Sequence, residues 1–66
     1  MEIFHERLKK AIEEAHISQR QIAIRMGVKP QSVWEWVNVG YPSVTHLIQL
    51  CDMLNTTPNY LLGVVD

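Results

Sequence analysis

Apolar residues recur along this chain at helical spacing in four successive stretches, and turn residues separate them. Phe4, Leu8, Ala11, Ile12 and Ala15 fall on one stripe, with Glu6, Lys9, Lys10, Glu13 and Glu14 on the other side. That spacing predicts a first helix over 3–16. Ser18 is a good N-cap and Gln21, three residues on, completes a capping box, so a second helix is expected over about 19–26. Ile17 is placed to pack back on Ile22 as a hydrophobic staple. Pro30 suits the first position of a third helix over about 30–38, and it biases Lys29 towards an extended backbone. Val33, Trp36 and Val37 face inward along that helix, leaving Pro30, Gln31, Trp34 and Glu35 outward. Gly40 and Pro42 mark a loop. Ser43 then caps a fourth helix over about 44–54, whose stripe reads Val44, Leu47, Ile48, Cys51 and Leu54. Thr57 and Pro58 open a final helical turn through Leu62, and Gly63 closes it.

The stretch from Gln19 to Asn38, QRQIAIRMGVKPQSVWEWVN, organises the rest. Two helices that cross steeply through a short turn bring their backbones together near Ala23, where a larger side chain would wedge them apart. The residue after the first helix needs positive φ, which Gly27 adopts without a Cβ clash. Ile22, Met26, Val28, Val33 and Trp36 supply apolar contacts to a shared core. The pattern is that of a helix-turn-helix. Any two amphipathic helices joined at a glycine would explain Gly27 and the apolar spacing. They would not explain the small residue four positions earlier.

Composition narrows the class. The chain has 66 residues, 47% of them apolar and 20% charged, with three glycines and three prolines. That is a single globular domain over 1–66, near the lower size for a stable core. The apolar runs are too short for a membrane span. MEIFHERLKK has no signal-peptide pattern, and one cysteine forms no internal disulfide. A cytoplasmic protein is therefore expected. The net charge of −1 argues mildly against nucleic acid, but all six Lys and Arg residues lie within residues 1–38.

The residues Ser18-Gln-Arg-Gln-Ile-Ala, Gly27-Val, Gln31-Ser-Val, Trp36, Pro42-Ser and Pro58-Asn-Tyr-Leu-Leu-Gly resemble the DNA-binding domains of phage Cro and repressor proteins, the Xre-type helix-turn-helix family. The resemblance covers residues 4–63. It implies an all-α, compact five-helix domain of the lambda-repressor-like kind, with double-stranded operator DNA as partner. Position by position, it makes Pro30, Gln31, Trp34 and Glu35 the base-reading residues. Gln19, Arg20, Lys29, Asn38 and Tyr41 become phosphate contacts. A helix N-terminus with a side-chain amide, as at Gln19, is physically a good phosphate seat.

Departures from the family pattern carry information. Lys29 stands where Ser or Thr is usual, so a cap is lost and a cation gained. Pro30 removes one amide donor. The loop after the third helix, often basic in relatives, is Val39-Gly-Tyr-Pro. Relatives also commonly join the first and third helices through a buried arginine–glutamate pair, and the matching positions here are the apolar Ile12 and Val37. Those two are expected to touch.

Among the base-reading candidates, Gln31 has the clearest chemistry, since its amide donates to and accepts from adenine as a pair. Trp34 is left facing out, because Trp36 takes the core position; it suits thymine methyls or a protein partner. Glu35 accepts from cytosine N4 but repels phosphates. His5, His16 and His46 lack zinc-ligand spacing, Cys51 reads as a small core residue, and no catalytic constellation or phosphate loop stands out. No metal, cofactor, membrane or small-molecule substrate is expected, and no enzyme. The tail leaves two readings open: Leu61 and Leu62 finish the core, or Tyr60, Val64 and Val65 pair with a second copy, as relatives use this region. The homodimer is preferred. The expected function is a sequence-specific transcriptional regulator, Cro-like or repressor-type. The alternative is a protein-interaction module, an antirepressor or adaptor.

Overall fold

The computed structural model describes residues 2–65. Five helices follow in order: α1 (Glu2–Ala15), α2 (Gln19–Met26), α3 (Pro30–Asn38), α4 (Val44–Leu54) and α5 (Pro58–Leu61). The all-α expectation holds, and the boundaries of α2, α3 and α4 match those read from the sequence. The first helix ends at Ala15 rather than at 16, because His16 adopts a left-handed φ of 54° and turns the chain. The last helix stops at Leu61, with Leu62 as its cap.

Helix starts follow local side-chain chemistry. Ser18 Oγ accepts from Gln21 N at 3.1 Å, and Gln21 Oε1 accepts from Ser18 N at 3.1 Å. Two amides at the start of α2 that lack helical partners are thereby satisfied at once. Ser43 accepts from His46 N and Thr57 from Tyr60 N in the same way. At the end of α2, Gly27 sits at φ 69°, its N–H donating to Ile24 O and that of Val28 to Ala23 O. This is a Schellman ending, which left-handed glycine permits. Asn55, at φ 55°, ends α4 similarly, a role that its sequence context did not signal.

The core draws Phe4, Leu8, Ala11 and Ile12 from α1, Ile22 and Ala23 from α2, and Val33, Trp36 and Val37 from α3. Leu50, Cys51 and Leu54 of α4 and Leu61 of α5 close it. No polar or charged residue is buried among the described residues. Ala23 is 1% exposed, which fits its place at the α2–α3 crossing. Ile17, Met26 and Val28 pack against this core from the turns.

Two apolar assignments need correction. Ala15 is exposed, and Ile17 covers the core beyond the turn instead. On α4, Val44 and Ile48 are 73% and 51% exposed, and Leu50 is buried in their place. The helix is apolar around most of its circumference, so the buried face is set by what packs on it: the Trp36 and His46 rings meet at 5.0 Å.

Candidate nucleic-acid interface

The N-terminal ends of α2 and α3 come together on one side of the molecule. Gln19, Arg20, Pro30, Gln31 and Trp34 line a single shallow groove there. The turn sets this juxtaposition. Gly27 reverses α2, and Lys29 holds an extended backbone (φ −72°, ψ 143°) before Pro30 starts α3. Residues at the starts of two helices thus line one surface.

Pro30, Gln31, Trp34 and Glu35 are all exposed, while Val33, Trp36 and Val37 turn inward. The two tryptophans divide sharply, with Trp34 46% exposed and Trp36 7%. Glu35 lies outside the groove walls, next along the helix surface. Gln19 is half-buried at the first position of α2, where the amide groups lack helical partners. Lys29 makes no side-chain cap to α3. Its side chain is exposed and adds a cation near the first turn of the helix.

Asn38 and Tyr41 are held by the fold as well as facing solvent. The Asn38 side-chain amide donates to the carbonyl of Trp34 at 2.9 Å, one turn back along α3. The Tyr41 ring stacks on His5 at 5.3 Å and 8°, and meets Phe4 edge-on at 5.5 Å. His5 Nε2 donates to Gly40 O at 2.8 Å. The loop that leaves α3 is therefore fastened to α1. Sequence reading missed His5 in this role, since a contact 35 residues away leaves no local signal.

The chain end is arranged otherwise than a plain exposed patch. Tyr60 is half-buried, packed against the core with Arg7 over its ring. Val64 and Val65 are exposed, as is Leu62. An almost wholly apolar hollow lies between Phe4, Tyr41, Pro42, Leu47 and Leu62.

Among the described residues no three His, Cys, Asp or Glu side chains come close enough to hold a metal ion. No described helix is long and apolar enough to cross a membrane. Burial, and next the charge of Asp52, push the Cys51 thiol above its ordinary pKa. A thiol so held is a poor nucleophile near neutral pH.

A helix-turn-helix family model matches residues 8–61, most of the chain and the whole of α2 to α5. No curated protein and no solved structure shows significant similarity.

Proposed function

The chain belongs to the Xre/Cro-type helix-turn-helix family, a DNA-binding domain type, and from that premise we propose that it is a sequence-specific transcriptional regulator of the Cro-like or repressor kind. The observation that carries this is the shared groove of Gln19, Arg20, Pro30, Gln31 and Trp34. In this reading α3 enters the major groove and the N-terminus of α2 seats a phosphate. Pro30, Gln31, Trp34 and Glu35 face base edges. Gln19, Arg20, Lys29, Asn38 and Tyr41 meet the backbone on either side.

A domain this small, with six cations, gains both affinity and specificity by binding as a homodimer to a palindromic operator. The exposed Leu62, Val64 and Val65, with Leu62 lining an apolar hollow, support pairing through this region. Tyr60 contributes there through its rim only, given its packing. Such a protein works in the cytoplasm, beside the chromosome.

The competing reading is an interaction module, an antirepressor or adaptor, in which Trp34 and Glu35 engage a protein. The net charge of −1 and the exposed indole favour it. Selection of bound duplexes from a random pool separates the two. A regulator enriches a two-fold symmetric site with half-site centres about 34 Å apart, one turn of duplex. A pool that yields no consensus would reject the proposal.

A further inference from the structure

What the recognition helix can read is narrowed by what it lacks. No Lys or Arg lies within Pro30–Asn38. The commonest specific contact, a bidentate cation on guanine O6 and N7, is therefore not available from α3 itself. The Asn38 amide is engaged with the Trp34 carbonyl of its own helix. Glu35, exposed beside the groove, is an acceptor only and suits cytosine N4 rather than adenine or thymine. What α3 presents to the groove is the side-chain amide of Gln31 together with the ring of Pro30 and the indole of Trp34. Pro30 and Trp34 are four residues apart, one above the other on the same helix face.

That pairing of an amide with an apolar surface has a counterpart in DNA. Adenine presents N7 and N6 to a side-chain amide, and thymine alone among the four bases carries a methyl group on the major-groove edge. We propose that Trp34, flanked by Pro30, reads the thymine 5-methyl group while Gln31 reads adenine, so that the chain discriminates thymine from uracil at defined positions of each half-site. The inference rests on the DNA-binding reading above. It assigns the exposed indole a ligand of stated chemistry.

The experiment starts from the duplex that the full chain selects from a random pool. Each thymine is replaced in turn by deoxyuridine, which removes the methyl and leaves pairing intact, and affinity is read by fluorescence anisotropy at fixed salt. One or two positions per half-site are expected to weaken binding about fourfold per methyl, the value of burying one such group. Trp34→Ala is expected to bind the thymine duplex more weakly than the parent does, about as it binds the uracil duplex, and Trp34→Phe to keep part of the difference. Because Trp34 is half-exposed on the surface, both variants should keep the helical circular dichroism of the parent. Equal affinity for thymine and uracil at every position overturns the inference and leaves the regulator reading standing. So does a selected half-site without thymine, or a Trp34→Ala protein that keeps the thymine–uracil difference. Failure to select any duplex overturns both.

Discussion

Arg7 lies over the ring of Tyr60, 4.6 Å from its centre, and the same guanidinium donates to the Tyr60 carbonyl at 2.6 Å. It also donates to the carbonyl of Val65. One side chain of α1 thereby fixes both α5 and the chain beyond Gly63. Tyr60 is turned inward by this contact, whereas Val64 and Val65 are presented outward on a held backbone.

Arg7→Gln is therefore expected to lower stability by about 1 kcal/mol, less than a fully buried charged hydrogen bond contributes because the site is partly solvated. Urea unfolding measures this. Arg7→Lys should recover only part of the loss, since an ammonium can donate to both carbonyls as Nη1 does but lacks the planar guanidinium that lies over the Tyr60 ring. If the chain end forms a dimer contact, sedimentation should show weaker association in both variants. Full stability in Arg7→Gln would remove the tether from consideration.

The turn of the helix-turn-helix makes a separable prediction. Ser18→Ala breaks one half of a reciprocal cap and should cost about 1 kcal/mol. Gly27→Ala places a Cβ where nothing lies within 4 Å, so its cost is that of left-handed backbone alone, about 1–2 kcal/mol. Gly63→Ala meets the same backbone cost and also the Ile3 side chain at 3.1 Å. Thermal melts should place Gly63→Ala at or below Gly27→Ala. The reverse order would mean that Ile3 moves aside freely and that Gly27 is constrained by more than φ.

Those caps were legible because their chemistry is local: Ser18, Gly27, Ser43 and Thr57 each act within a few residues of themselves. Burial on α4 was not. Val44, Leu47, Ile48, Leu50, Cys51, Met53 and Leu54 give overlapping apolar stripes, and periodicity alone does not choose between them. The partner chooses, and Leu50 is buried while Ile48 is not. Contacts of long reach, His5 to Gly40 and Arg7 to Tyr60, leave no spacing to read. The groove was legible in part. Its residues share the outer faces of α2 and α3, but the place of Glu35 beside the groove rather than in its walls, and the engagement of Asn38, depend on geometry.

Base reading and phosphate anchoring should respond differently to mutation. Gln31→Ala is expected to cost about 1–3 kcal/mol at one base position and to flatten preference there. Lys29→Ala should weaken all duplexes alike. With no Lys or Arg after Lys29 in the sequence, log K should fall gently with log salt, by roughly 0.9 per neutralised phosphate. Titrations at several salt concentrations test this. An unchanged selected site in Gln31→Ala would shift the recognition register away from Gln31.

Cys51 predicts an alkaline limb of stability. Burial foremost, then Asp52, raise its pKa in the fold. The native state thus holds the thiol proton more tightly than the unfolded chain. The stabilisation is complete below the ordinary thiol value of about 8.5 and is lost as pH rises through the folded value. Urea midpoints should decline from about pH 8.5 upward. Cys51→Ala, at a constant cost from its smaller volume, should lose that part of the decline. Parallel pH profiles for parent and variant would show that the thiol contributes nothing.

Ile12 and Val37 carry the last prediction. Both lie in the buried cluster, one from α1 and one from α3, and these two helices pack together. The family resemblance places an arginine and a glutamate at the matching positions of relatives. Losing one partner of such a pair strands a buried charge at a cost of about 3–5 kcal/mol. Replacing both with hydrocarbon can be neutral or stabilising, because neither ion is dehydrated. Here no charged residue is buried among the described residues. Ile12→Arg alone and Val37→Glu alone should therefore each destabilise strongly. The double variant should recover part of the loss, because the two charges would meet across the α1–α3 contact. Additive losses in this cycle would mean that the two positions do not face each other. Recovery would show that the recognition helix is anchored to α1 by packing, in a place that still accepts an ion pair. An anchor of that kind holds α3 at the same angle across changes of salt, so the salt dependence of DNA affinity would report phosphate contacts alone.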